Sequence, residues 1–269
     1  MGVFKLLGRV FWNKEEKRLR ALWRLGLHTI LLIILMSALT VGVLFAAASL
    51  ASISGLISLE DFSAENPMGI FQNAVLGKII IPAATLLAVF LATLVVGKLV
   101  DRRNFSDFGL QFSKQWWRDF GFGLGLGALL MVLIFLFGWL TGNVQVSGFF
   151  MNTASSTNFF LGFLQTLIFF IFVGFYEELW SRGYQLINLA EGFNFKLIGK
   201  RWAVIIALLL SSISFGLLHI LNPNATWYST LIISTAGIFL GLGMIMTGSL
   251  AIPIGLHITW NFFQGAVFG

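Results

Sequence analysis

Long apolar runs separated by short polar segments dominate the chain. Each run is about twenty residues long, the length at which an α-helix crosses the hydrocarbon core of a bilayer. The pattern of hydrophobic positions therefore predicts an all-α, polytopic membrane bundle of seven or eight transmembrane helices. The runs are Leu25–Ser49, Ile79–Val96, Phe120–Leu140, one that starts near Phe159 and passes through Glu177, Trp202–Leu221, Tyr228–Thr247 and Leu250–Phe268.

Composition supports a membrane protein and argues against a water-soluble domain. Of the 269 residues, 58% are hydrophobic and only 10% are charged, and the mean hydropathy is +0.90. A soluble chain has about 25% charged residues, so a soluble fold of this size would expose large apolar patches to water. The chain contains no cysteine, which excludes disulfides, thiolate metal ligands and cysteine nucleophiles.

The positive charges are unevenly distributed, and their positions predict an orientation. Basic residues cluster before the first apolar run, between Lys98 and Arg118 and between Lys196 and Arg201, whereas the segment from Ala51 to Gly77 has acids and no base. Because basic residues flank membrane spans on the cytoplasmic side, we expect a cytoplasmic N-terminus. We expect the basic residues to interact with the lipid bilayer and not with nucleic acid. The bases before the first apolar run are Lys5, Arg9, Lys14, Lys17, Arg18, Arg20 and Arg24.

The chain divides into three parts by pattern. Residues 1–24 form a basic, amphipathic, cytoplasmic segment, and two interpretations of it stay open: a helix lying on the anionic inner leaflet, or a flexible basic tail. The apolar run that follows is too long for a cleaved signal peptide, so an uncleaved signal anchor is expected. Residues 25–100 carry two transmembrane helices, and residues 101–269 form the remaining core.

A run of alternating glycines opens the third predicted helix. Gly121, Gly123, Gly125 and Gly127 are not preceded by a strand and lack the spacing of a phosphate-binding loop. Small residues four apart on a membrane helix let a second helix approach closely. We therefore predict close helix packing here rather than a nucleotide site.

Ionisable side chains inside apolar runs are the candidate functional residues, because burying them in a membrane requires a compensating role. If the membrane boundary lay at Glu177, the acidic pair would lie at the cytoplasmic surface and His219 near the far face. If instead the fourth helix continues to about Ala190, Glu177 lies roughly 20 Å inside the bundle, at a depth that His219 can share. The candidates are Glu177, Glu178, Arg182, His219, His257 and Asn261.

Helical spacing suggests roles for these groups. Glu178 and Arg182 stand in the favourable order for an ion pair four residues apart, which leaves Glu177 free for chemistry. A carboxylate beside an imidazole can activate water, and a second imidazole with an amide can stabilise an oxyanion. The same groups could instead hold a divalent metal such as zinc, with Glu177, His219 and His257 as ligands, or simply join helices through buried polar pairs.

Three short motifs resemble one known family. EELWSRGYQL from Glu177 resembles EExxxR, FGLLH from Phe215 resembles FxxxH, and HITWN from His257 resembles HxxxN. In this order they are similar to the CAAX-protease and bacteriocin-processing family of intramembrane endopeptidases, also called the Abi family. The motifs span Glu177 to Asn261, and no motif covers the first 100 residues.

The resemblance implies that residues 101–269 form an all-helical intramembrane protease core. It implies that Glu177 and His219 activate water, that His257 and Asn261 form an oxyanion hole, and that Glu178 and Arg182 support them. No resident cofactor is expected, although a metal such as zinc stays open. The implied substrate is a membrane-embedded, amphipathic or prenylated peptide or protein, and the expected location is a bacterial plasma membrane.

Two other functions remain as alternatives. A non-catalytic immunity or signalling-partner protein would use the same polar cluster only to hold helices together or to dock a partner. A proton-coupled transporter would also bury glutamate and histidine, but it is expected to contain paired half-repeats, and the sequence has no internal repeat. The pattern leaves the oligomeric state open.

Overall fold

The architecture is a bundle of seven helices in the residues that the computed structural model describes, 10–14, 16–54, 75–150 and 158–268. This confirms the predicted all-α fold. A two-residue ribbon, β1 (Trp12–Asn13) and β2 (Arg18–Leu19), precedes the first helix. The helices are α1 (Ala21–Ser54), α2 (Leu76–Asp101), α3 (Lys114–Leu140), α4 (Phe159–Phe193), α5 (Gly199–Leu221), α6 (Trp227–Thr247) and α7 (Ala251–Phe262, continued by a π turn at Phe263–Val267).

Six of these helices, α1 to α6, are long and apolar enough to cross a membrane within the described ranges. The seventh, α7, has 12 α-helical residues and a 5-residue π turn. Helix α4 is the longest span at 35 residues and continues past the acidic pair to Phe193. Glu177 therefore lies near the middle of a helix. This agrees with the second of the two predicted positions, in which Glu177 lies inside the bundle and not at the membrane boundary.

Helix α7 lies inside the bundle, where α3 and α4 cover it. Ala251, Ile254 and Ile258 are buried, and the Thr259 hydroxyl donates to the Leu124 carbonyl of α3 at 2.8 Å. Gly174 of α4 packs against the Ile258 side chain, where a Cβ atom would come within 2.6 Å. A short helix that is enclosed in this way holds its polar side chains at a fixed depth.

Two of the four alternating glycines make the contact between α3 and α7. A Cβ atom at Gly123 would lie 3.0 Å from the Ile252 Cα, and one at Gly127 would collide with the backbone of α7 and the Thr259 hydroxyl. Gly121 and Gly125 have nothing within 4 Å of that position. The predicted close packing through small residues four apart is therefore confirmed, and it involves one face of the helix.

This packing gives a direct test with a matched control. Gly127→Ala places a methyl group against the backbone of α7, and overpacking of this kind lowers the free energy of unfolding by about 1–3 kcal/mol. Gly125→Ala points into open space and is expected to leave stability unchanged or slightly higher. Unfolding of both variants in detergent measures the difference; equal stability of the two would contradict the backbone contact.

The N-terminal segment folds back on the bundle. The helix that was one of two alternatives for residues 1–24 is wrong for Trp12–Asn13 and Arg18–Leu19, which form the ribbon, and residues 1–9 and 15 lie outside the described residues. The reason is that Arg18 turns inward, donating to the Asp101 carbonyl at 3.0 Å and to Glu191 at 3.1 Å. Lys17 makes the turn with a left-handed φ of 51°.

A buried ionic cluster joins this segment to α1, α2 and α4. Arg18, Arg24 and Arg103 all pair with the Glu191 carboxylate near the end of α4, and Arg24 also lies 3.4 Å from Asp101. Arg24 and Asp101 are each only 1% exposed. The sequence alone placed these bases against lipid headgroups or water. In the structure they are neutralised inside the protein, and they hold the far end of α4 in place.

Candidate active site

Helix α4 changes its winding immediately after the acidic pair. Residues Phe159–Glu178 are α-helical, and Leu179–Leu186 form a π-helical segment before α-helix resumes. Gly183 sits in this wider segment, where a Cβ atom would come within 2.9 Å of the Phe108 carbonyl and 3.1 Å of the Leu250 side chain. π-helical turns inside α-helices are frequent at functional sites.

Glu178 is the centre of a fully buried charge network. Its Oε1 atom accepts a hydrogen bond from Arg182 Nη1 at 2.9 Å and one from His257 Nδ1 at 2.7 Å. Arg182 also donates through Nη2 to the Gly237 carbonyl of α6 at 3.1 Å. Glu178 is 0% and Arg182 1% exposed, so each charge depends on the other for compensation.

Glu177 faces both histidines. Its Oε2 atom lies 3.8 Å from His219 Nε2 and 3.7 Å from His257 Nε2. The same oxygen is buried and accepts no hydrogen bond within the described residues. The separations are longer than a hydrogen bond, so one carboxylate oxygen and two imidazole nitrogens converge without bonding directly.

Hydrogen bonds at the opposite ring atoms assign the histidine tautomers. His219 Nδ1 lies 2.8 Å from the Phe215 carbonyl, an acceptor, so Nδ1 carries the hydrogen and donates. His257 Nδ1 likewise donates to Glu178. In the neutral state both rings therefore present an unprotonated Nε2 towards Glu177.

Phe215 joins the cluster through its ring as well as its carbonyl. The Arg182 guanidinium carbon stands 4.2 Å from the ring centroid, a cation–π arrangement, and the ring lies edge-on to His257 at 6.0 Å between centroids. The sequence motif contains Phe215, but no residue-level role for it was predicted. The signal that was available is its spacing of four residues before His219 on the same helix.

The structure brings together five of the six predicted site residues. Asn261 lies on α7 one turn after His257 and is half-buried, but no hydrogen bond connects its side chain to the cluster among the described residues. Within the same ranges, no group of three or more His, Asp and Glu side chains is arranged to hold a metal ion.

Comparison with known protein families gives one result. Residues 158–263 match the model for the family described as type II CAAX prenyl endopeptidase, Rce1-like. The chain contains an Rce1-like domain. The match begins at the start of α4, ends in the π turn of α7 and includes all six candidate residues. No curated protein and no solved structure gives a significant match.

The Rce1-like domain confirms the family that the three motifs indicated. That family is one of CAAX-type endopeptidases, and the helices here make the protein a multi-pass membrane protein. The domain match covers α4 to α7, so α1, α2 and α3 lie outside it. Helix α3 packs on α7, and Arg24 of α1 pairs with Glu191 of α4, so helices outside the match contact the matched segment.

Proposed function

We propose that this protein is an intramembrane endopeptidase that hydrolyses a peptide bond with a water molecule activated by Glu177 and His219. The observation that carries the proposal is the convergence of one carboxylate oxygen on two imidazole Nε2 atoms, at 3.7 and 3.8 Å, inside a membrane helix bundle. The Rce1-like domain supports the reaction class. The network does not require a covalent nucleophile, and the chain has no cysteine to supply one.

The chemistry follows from the acceptors at the centre of the site. Water placed between Glu177 Oε2 and His219 Nε2 gives up a proton to one of them while its oxygen attacks the scissile carbonyl carbon. The tetrahedral intermediate then collapses, the carbon–nitrogen bond breaks, and the stored proton passes to the departing amine. The products are a carboxylic acid and an amine, and no electron transfer occurs.

His257 and Asn261 are the proposed oxyanion donors. Glu178 accepts from His257 Nδ1, so the ring is oriented with Nε2 towards the reaction centre. The neutral ring has no hydrogen at Nε2, so the donor to the carbonyl oxygen is the imidazolium form, whose positive charge the Glu178 carboxylate balances. The Asn261 amide, one turn further along α7, supplies the second donor. Glu178, which bonds to His257, and Arg182, which bonds to Glu178, are positioning residues.

The substrate class follows from the surroundings of the site. The helices that carry it are membrane spans, so we propose a membrane-embedded, amphipathic or prenylated peptide or protein as substrate, in a bacterial plasma membrane with the N-terminus in the cytoplasm. Because the matching family is one of CAAX prenyl endopeptidases, farnesylated CAAX peptides are the first compounds to test.

A cleavage assay with purified protein in liposomes tests the proposal. It uses fluorogenic farnesylated CAAX peptides beside unprenylated apolar leader-type peptides, with and without a strong chelator. We expect cleavage that persists in the chelator. Loss in the chelator with recovery on adding zinc would overturn the metal-free route and assign Glu177, His219 and His257 as ligands. Failure to cleave any peptide would favour the non-catalytic immunity or signalling role.

A further inference from the structure

Ser181 has a buried hydroxyl whose hydrogen-bonding capacity is unused by the protein. The residue is 0% exposed, lies one turn after Glu177 on α4, and its Oγ has no hydrogen-bond partner among the described residues. Several hydroxyls elsewhere in the helices bond back to their own backbone: Thr166 to the Gly162 carbonyl at 2.9 Å, and Ser211 to the Leu208 carbonyl at 3.1 Å. Ser181 is therefore available to bind something else.

This hydroxyl lies in the π-helical segment of α4. In an α-helix, a serine hydroxyl reaches the carbonyl three or four residues earlier. Ser181 lies in the segment Leu179–Leu186, where the backbone bonds five residues apart and each turn is wider. Neither carbonyl accepts a hydrogen bond from Ser181 Oγ, which has no partner among the described residues.

Ser181 is the middle of a polar row. Glu177, Ser181 and Gln185 follow at intervals of four residues, so they lie above one another on one face of α4. Each has a buried oxygen without a partner in the described part of the chain: Glu177 Oε2, Ser181 Oγ and Gln185 Oε1. The row extends about 12 Å from the catalytic carboxylate towards the end of α4 that precedes Lys196–Arg201.

Water is the ligand that this row fits. Buried polar groups without protein partners normally bind ordered water, because leaving them unpaired is unfavourable. Hydrolysis consumes one water for each bond broken, so water must reach Glu177, whose side chain is only 18% exposed.

We propose that Glu177, Ser181 and Gln185 line an internal path along which water reaches the catalytic carboxylate from the basic end of α4. Its purpose rests on the proposed endopeptidase function, whereas the presence of water along it does not. Gln185, which is half-buried, forms the entrance, and Ser181 bridges from it to Glu177.

The natural absence of cysteine allows the path to be probed by single substitutions. Ser181→Cys and Gln185→Cys are treated with silver ion, which is close to water in size and reacts with thiolate in water. The matched control is Ser211→Cys, because Ser211 is 2% exposed and its hydroxyl is already bonded. Protection of each thiol from alkylation, read after denaturation, measures the reaction.

We expect silver to react with Ser181→Cys and Gln185→Cys at least about tenfold faster than with the control, because only hydrated thiols ionise readily. Adding Gln185→Leu to Ser181→Cys is expected to close the entrance and abolish that difference. Reaction of Ser181→Cys no faster than the control, or reaction unaffected by Gln185→Leu, would overturn the path. If Ser181→Cys fails to fold, Gln185→Cys against the control decides whether the entrance is hydrated.

The two proposals fail separately. Silver access to Ser181→Cys without cleavage of any peptide would keep the path and remove the protease. Cleavage by the wild type together with an inert Ser181→Cys would keep the protease and remove the path. In an active preparation, Gln185→Leu is expected to lower kcat about tenfold with KM unchanged, because water delivery follows substrate binding.

Discussion

Glu177→Gln is expected to lower kcat/KM for the cleaved peptide by about a thousandfold while the protein stays folded. Glutamine keeps the size of the side chain and its position between His219 and His257 but does not accept the proton that water must lose. The loss is expected in kcat, because the substrate carbonyl binds before the proton moves. Single-turnover cleavage and unfolding in detergent, measured side by side, separate catalysis from stability.

Asp119→Asn is the matched control for this substitution. It also converts a carboxylate to an amide, but Asp119 lies near the start of α3, and its side chain bonds only to Gln115, at the protein surface, within the described residues. We expect its activity to equal that of the wild type. Retention of more than about a tenth of the activity in Glu177→Gln would be incompatible with a general base at this position and would transfer the role to His219.

The apolar runs predicted the helices well because each span must satisfy its backbone hydrogen bonds internally. The predicted start of α3 was Phe120 and the observed start is Lys114; for α6 the predicted start was Tyr228 and the observed start is Trp227. Helix α4 extends to Phe193, so Glu177 lies inside the bundle and not at the membrane boundary, which is the deeper of the two predicted positions. What favoured it was the position of the next basic cluster, at Lys196 to Arg201.

The site was predictable as a set of residues but not as a geometry. The four-residue spacing of Glu178 and Arg182 predicted their ion pair, which the structure contains at 2.9 Å. The bond from His257 to Glu178 joins residues 79 positions apart, and no local pattern encodes it. The sequence pattern paired Glu177 with His219, whereas in the structure its Oε2 lies equally close to His257.

The parts that sequence reasoning missed depend on tertiary contacts. The residue types at Leu179–Leu186 do not indicate a π-helical segment. Gly183 in this segment packs against Phe108 and Leu250, which are distant in sequence, and such contacts cannot be predicted from a local pattern. The ribbon before α1 was missed for a related reason. The pattern predicted Arg18 and Arg24 either on a helix at the inner leaflet or in a flexible basic tail, but Glu191 lies 173 and 167 positions further along the chain and pairs with both.

Arg182→Met is expected to reduce the free energy of unfolding by about 3–5 kcal/mol, the effect of removing one partner of a buried ion pair. Methionine fills much of the space beside Phe215 but removes the bonds to Glu178 and to the Gly237 carbonyl. Glu178, which is 0% exposed, is then left as a buried charge with His257 as its remaining partner. Unfolding of the purified variant in detergent measures the loss.

The double variant Glu178→Gln with Arg182→Met separates lost charge compensation from lost packing. Removing both charges eliminates the uncompensated carboxylate, so we expect most of the stability to return, as it does when buried ion pairs are replaced by neutral groups. Activity is not expected to return, because the amide that replaces the Glu178 carboxylate no longer fixes the His257 ring as a charged acceptor does. A double variant as unstable as Arg182→Met would show that Arg182 acts through Phe215 and Gly237 instead. Stability and catalysis would then depend on different contacts of the same guanidinium.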